Sequence, residues 1–373
     1  MDNFYPLKKV ADIYGDPNLK FTIQDLESQN KIPSSRKYRS GAIFRKGWPT
    51  GLLPQIGEEV GYFKKFEKST SVCVFTTKGG VLKSTLALNL ARTAALHGQR
   101  VCVVGLDIQG DVTTSLGYDS EVDDGEDLGE LIQRLDQTKG LCDYFSGEAT
   151  LEDVIVQVGL PNLFIIPETP ELVALNDSLN NINRREFWLK ERVIDPLKEH
   201  FDLVIMDCSP NWNKLTTNAL VACDALISPL ECKINNFRNF RVFSHFLKEF
   251  KDEMRLDFES IFVPTKYSSN KKLSNDILNW YYANVEGCTT IGIKESVSAE
   301  EAMALNLSIA EHASGKPIAK DTIELFKQIH KAIEESHSRR SNQSESLKHQ
   351  ARVMGGIANS NLGNLGASLG HGV

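Results

Sequence analysis

From residue 71 onward, short continuous apolar runs alternate with longer amphipathic or apolar segments. The runs are "VCVF" (72–75), "VCVVGL" (101–106), "LFIIP" (163–167), "LVIM" (203–206), "ALISPL" (225–230) and "SIFVP" (260–264). Helical segments are expected between most of them, among them Ser84–His97, closed by Gly98, and Arg184–His200. Strands recurring with helical crossovers predict a mainly parallel sheet with helices on both faces, an α/β fold. Unbroken apolar strands fit such two-sided burial better than alternating ones do.

The first 69 residues follow a different pattern. "YPLKKVADIYG" and "FTIQDLESQNKIP" read as two short helices separated by "DPN", and "SSRKYRSGAIFRKGW" follows as a basic hairpin with a central Gly. At the other end, "SNQSESLKHQARVMGGIANSNLGNLGASLGHGV" is rich in Gly, Ser and Asn, and residues 338–373 are expected to form a flexible tail. The domain reading is therefore 1–69, 70–337 and 338–373. The acidic stretch "YDSEVDDGEDLGE" (118–130) reads as a solvated loop.

Charge changes this picture in one place. The chain of 373 residues carries a net −7, yet residues 1–70 hold 12 basic and 8 acidic side chains. Between Glu27 and Glu58 stand six basic residues and no acidic one. That asymmetry points to a nucleic-acid surface, with a solvated basic loop as the plainer alternative. The seven cysteines include no C-x-x-C pair and read as reduced core fillers. No apolar run approaches the ~18 residues a bilayer span needs, and the N-terminus lacks a signal-peptide core, so a cytoplasmic protein is expected.

The candidate chemistry lies in "FTTKGGVLKSTLALNLA" (75–91). A phosphate loop closes on Lys and a hydroxyl residue, as Lys83-Ser84 do, but Thr77 and Leu82 stand where the common form has glycines. A strand, a Gly-containing turn and a helix starting near Ser84 would aim backbone N–H groups and a helix dipole at an anion. Lys83 would face the β- and γ-phosphates, and Ser84 would offer its hydroxyl to Mg²⁺. "VCVVGLDIQGDVTTSLG" (101–117) sets Asp107 just past one strand, and "FDLVIMDCSP" (201–210) runs another strand into Asp207. Carboxyl ends of parallel strands are where ligands bind in open α/β sheets.

Taken together, these three ordered motifs resemble the ParA family of partition ATPases, whose deviant loop reads K-G-G-x-x-K-[ST]. The likeness spans roughly residues 70–335 and includes "DIQGDVTTSLG", "DCSPNWNKLTTNAL" and "ESVSAEEAMALNLSIAEHASGKP". It implies a P-loop NTPase fold and slow, Mg²⁺-dependent ATP hydrolysis. Lys78 is implied to reach across an ATP-sandwich homodimer to the partner's phosphates. Gly79, Gly80, Val81, Leu82, Lys83, Ser84 and Thr85 are implied to bind ATP, with Thr85 at the α-phosphate. Asp107 is implied to orient the attacking water beside Ser84 and the metal, and Asp207 to hold the Mg²⁺ shell. Two departures stand out. Ile108 replaces the usual Pro, and Gly105 replaces an Asp often found two residues before Asp107. Neither is expected to remove the chemistry.

The larger plasmid-type members carry an N-terminal DNA-binding module, and the first 69 residues resemble a winged helix-turn-helix. There the helix near Thr22–Gln29 would read bases while Arg36, Lys37, Arg39, Arg45 and Lys46 hold phosphates. A dimerisation arm is the alternative. Lys271 and Lys272 are candidates for non-specific DNA contacts in the ATPase domain. The implied partners are DNA, a ParB-like centromere-binding protein and a second copy, with filaments on DNA as an extension and no membrane. Two other functions stay open: positioning of a protein cargo, and a nucleotide-responsive repressor.

Overall fold

The structure, a computed structural model, describes residues 3–118 and 138–366. In chain order the elements begin with β1 (Phe4–Tyr5), α1 (Leu7–Ile13), α2 (Leu19–Ser28), β2 (Arg36–Ser40), β3 (Ile43–Pro49) and α3 (Leu53–Val60). There follow β4 (Thr70–Val74), α4 (Lys83–Leu96), β5 (Val101–Leu106), α5 (Asp111–Ser115), α6 (Leu141–Ser146), β6 (Val156–Gln157), β7 (Leu163–Ile166) and α7 (Leu172–Ser178). The next group is α8 (Asp195–Lys198), β8 (Leu203–Cys208), α9 (Lys214–Ala222), β9 (Ala225–Glu231), α10 (Ile234–Met254) and β10 (Glu259–Tyr267). The last are α11 (Lys272–Asn284), β11 (Ile293–Lys294), α12 (Val297–Ala304), α13 (Ile309–His312) and α14 (Pro317–Gly366).

The six apolar runs all lie in one eight-stranded sheet, ordered β11-β10-β9-β4-β8-β5-β7-β6. Every pairing in it is parallel except β6 with β7 at the edge. β4, β5, β8 and β9 are buried along their whole length, because helices cover both faces. Successive side chains divide between two cores, as the two-residue period requires. Val72, Val74, Val101, Val103, Leu203 and Ile205 join α4, α14 and the N-terminal segment on one face. Cys73, Cys102, Val104, Val204 and Met206 join α9, α10 and α11 on the other. All seven cysteines are free; Cys73, Cys102, Cys208 and Cys232 fill the core, while Cys142, Cys223 and Cys288 are half-buried.

The N-terminal elements do not stand apart. Val10, Ile13, Tyr14, Leu53 and Ile56 belong to the same core as Ala91, Ala94 and Leu96 of α4. Within this segment β2 and β3 form an antiparallel hairpin, with β1 added to the free side of β3. α4 is buried nearly all round, which suits its run of Ala and Leu, and it ends at Gly98 (φ +83), whose amide bonds back to Ala95.

Two expectations are corrected. The helix expected over Arg184–His200 is broken into a turn at Arg185–Phe187, a widened π-type turn at Lys190–Ile194 and α8. Pro196 lies inside it and has no amide proton for a regular helical bond. The boundary placed at 337/338 falls inside α14. Ser336 and His337 are buried, Arg339 meets Glu259 at 2.5 Å, and Arg340 donates to the carbonyl of Asp224 at 2.9 Å. The backbone stays helical to Gly366 where composition suggested a flexible tail; no proline follows Pro317 to interrupt it. The acidic stretch, from residue 119 on, lies outside the described residues. Among those described, no helix is long and apolar enough to cross a membrane.

Candidate functional site

The sheet order places the three sequence motifs side by side. β8 lies between β4 and β5, with Asp207 in register with Val74 on one side and Gly105 on the other. The connection from β4 through α4 to β5 therefore passes over β8, while β8 leads through α9 to β9 beyond β4. Such a reversal opens a crevice at the strand ends. The loop after β4, Asp107 after β5 and Asp207 near the end of β8 lie at these strand ends, with both carboxylates buried.

The loop leaves β4 tied to the neighbouring strand: Phe75 N–H donates to Ile227 at 3.1 Å, and the Val81 carbonyl accepts from the Thr265 hydroxyl at 3.1 Å. Between these anchors, residues 77–80 are exposed. Gly80 turns at φ +68, and a side chain there would meet nothing within 4 Å. Leu82 adopts φ +74, ψ +32 at the start of α4. A left-handed Leu costs roughly 1–2 kcal/mol. Val81 is buried, and the Lys83 ammonium folds back to within 3.5 Å of the Lys78 carbonyl. Thr85 is buried with its hydroxyl 2.8 Å from the Met303 sulfur of α12. Lys78 is exposed at the front of the loop and Ser84 is half-buried.

Asp107 and Asp207 are both buried. The carboxylate of Asp107 accepts from the Gln109 amide at 3.2 Å, closing a turn that continues through Gly110 (φ +71) into α5. Glu168, just past β7, was not anticipated and enters the same place. Its carboxylate accepts from the Thr113 amide at 3.1 Å, the Thr113 hydroxyl at 3.0 Å and the Asp107 amide at 3.4 Å. Burial, followed by the negative charge of Asp207, pushes its carboxyl up to about 8. The signal that could have found it is "LFIIPE", a carboxylate just past an apolar strand, the same placement as Asp107 and Asp207.

The DNA-contact candidates fall in two separate places. Arg36, Lys37, Arg39, Arg45 and Lys46 are all exposed on the β2–β3 hairpin. Lys37 lies directly opposite Lys46, and Tyr38 opposite Arg45. α2 is exposed except at Ile23 and its half-buried flank, with Phe21 65 % accessible. Lys271 and Lys272 are exposed at the start of α11, far along the chain from the hairpin.

Comparison with known proteins accords with this geometry. The sequence model of a family described as an AAA domain matches residues 69–260. The chromosome partitioning protein ParA of Caulobacter vibrioides is 29% identical over 210 residues, covering 55% of this chain and 73% of that protein. The chain belongs to the ParA family of partition ATPases. ATP and Mg²⁺ are the cofactors consistent with that membership. Solved structures agree on the fold. An ATP complex of a McdA variant from Cyanothece superposes with a TM-score of 0.58 at 18% identity, covering 69% of this chain and 95% of that one. A plasmid partition protein from Borrelia burgdorferi gives 0.51 at 19% identity, covering 70% and 98%.

Proposed function

We propose that this chain is a DNA partition ATPase that dimerises on ATP, binds DNA, and is released when a ParB-like partner stimulates hydrolysis. The observation that carries the ATPase part is the register across β4, β8 and β5, with Asp207 between Val74 and Gly105. That register supports a reading in which the Lys83 loop, Asp107 and Asp207 border one nucleotide site. The crevice suits a nucleotide: the loop presents open glycines where a Cβ at Gly80 would fill empty space, and a buried carboxylate backs it.

In this reading the amides of Gly79 to Ser84 cradle phosphate oxygens and Lys83 unfolds from the Lys78 carbonyl to meet them. Ser84 and Asp207 would hold the Mg²⁺ shell, with Asp107 beside it. When bound, Mg²⁺ neutralises charge on the phosphates. Asp107 orients a water toward the terminal phosphate, and Lys78 reaches the nucleotide of the second subunit. Phosphoryl transfer depends mainly on positioning and electrostatics, so these groups suffice. Thr85 would reach the α-phosphate once its hydroxyl leaves the Met303 sulfur.

DNA is favoured over a protein cargo by the hairpin. Lys37 facing Lys46 across two strands is unfavourable on its own, and a phosphate between them relieves the repulsion. The exposed α2 would then read bases in a winged helix-turn-helix arrangement that also supports autorepression, while Lys271 and Lys272 add non-specific contacts. The test is sedimentation and DNA binding compared in ADP, ATP and a non-hydrolysable analogue. A dimer and DNA affinity that are independent of nucleotide would reject the proposal.

A further inference from the structure

Gly105 and Glu168 occupy one space. A Cβ built on Gly105 would lie 2.8 Å from Glu168 Cδ and closer still to its Cγ, so a side chain at 105 and the observed Glu168 exclude each other. The carboxylate that enters here comes from the end of β7, which pairs directly with β5. Its hydrogen bonds all run to one segment. It accepts from the Asp107 amide and from the Thr113 amide and hydroxyl, while its own amide donates to the Thr113 hydroxyl at 2.9 Å. Both ends of the 107–113 connection are thereby fastened to β7, and Thr113 is buried in the process.

We infer that Glu168 is a positioning residue for hydrolysis, holding the Asp107–Thr113 loop so that the Asp107 carboxylate keeps the orientation needed to align water. This rests on the reading of Asp107 given above. A third carboxyl group beside Asp107 and Asp207 is costly in electrostatic terms. Three donated hydrogen bonds offset it. Glu168 touches neither the phosphate loop nor Lys83 among its hydrogen-bond partners, so it acts on the geometry of Asp107 rather than on nucleotide affinity.

The test uses the full chain, with Mg²⁺-ATP as the probe, and reads nucleotide affinity, single-turnover hydrolysis and amide exchange over residues 107–113. Glu168→Ala should slow hydrolysis on the order of tenfold to a hundredfold, as small misplacements of a positioned group do. Affinity should change less than about threefold. Exchange of the Thr113 amide should quicken. Glu168→Gln keeps the shape and an acceptor for Thr113, and should recover most of the rate. Gly105→Ala should reproduce the Glu168→Ala defect by displacing the side chain, and the double variant should be no worse than either single one. Wild-type turnover in Glu168→Ala, additive losses in the double variant, or parallel losses of affinity, rate and thermal stability would each overturn the inference. A wild-type chain with no turnover would instead remove the ATPase reading; the exchange data would then judge the anchoring alone.

Discussion

The phenol of Tyr14 lies 3.2 Å from the carbonyl oxygen of Leu96, joining the N-terminal segment to the last turn of the helix whose first turn borders the phosphate loop. The same hydroxyl is 2.6 Å from the Leu53 carbonyl, and the Tyr14 ring packs edge-on against His97. The N-terminal segment is therefore part of the main core. Removing residues 1–66 would strip apolar cover from α4, so DNA reading is better tested by point substitution.

Gly57 makes this docking close. A Cβ there would collide with the Leu96 carbonyl and lie 2.7 Å from Tyr14. Gly57→Ala should destabilise the chain by about 1–3 kcal/mol through overpacking. Thermal unfolding measures it, and an unchanged midpoint would show that α3 can shift freely.

Acid should loosen the same interface. His97 is buried among Tyr14, Tyr62 and Phe63, and burial pushes its imidazole down to about 3. The folded state thus resists a proton that the unfolded state accepts near pH 6.5. Its stability contribution is present above pH 6.5 and falls by up to about 1.4 kcal/mol per pH unit between 6.5 and 3. Denaturant unfolding across that window checks it, with His97→Phe expected to flatten the slope. An identical slope in the variant would assign the acid loss to other groups.

Lys83→Ala should abolish measurable nucleotide binding, since it removes the one buried ammonium at the loop. Asp107→Ala should bind ATP normally yet hydrolyse it at least ~100-fold more slowly, because only water alignment is lost. Equal turnover in Asp107→Ala and the wild type would reject that role.

Lys78→Ala should retain nucleotide affinity and fail to form an ATP-dependent dimer. Its side chain is exposed in front of the loop, and the Lys83 ammonium meets only its backbone carbonyl. A normal ATP-induced dimer by sedimentation would make it an ordinary surface lysine.

On the hairpin, Lys37→Ala and Lys46→Ala should each make DNA binding less salt-dependent, lowering the logarithmic slope by about 0.9 for every phosphate no longer neutralised. Substitutions at the exposed Thr22 or Gln24 of α2 should change site preference instead. Binding titrations at several salt concentrations separate the two. The double variant Lys271→Ala/Lys272→Ala with an unchanged slope would leave the hairpin as the main surface.

Local order in the chain was enough for the strands and the phosphate loop. β4, β5, β7, β8, β9 and β10 coincide with the apolar runs to within a few residues, because buried parallel strands need unbroken hydrophobic stretches. The strand-end positions of Asp107 and Asp207 were legible for a related reason: each directly follows or ends such a run. The placing of Lys83 and Ser84 at the start of α4 was legible from spacing alone. Arg184–His200 misled, since its helical composition contains Pro196, and composition does not say how the remaining bonds rearrange around a missing amide.

What needed the fold were relations between segments distant along the chain. Tyr14 and Leu96 meet across 82 positions, and no local pattern records that the N-terminal helices share a core with α4. Glu168 reads as one more charged residue after a strand until the pairing of β5 with β7 sets it against Gly105. Residue types, periodicity and motif spacing act over one element and are written in consecutive residues. Burial of a carboxylate depends on which backbone leaves room for it and which donors face it, and both are decided only when the strands assemble.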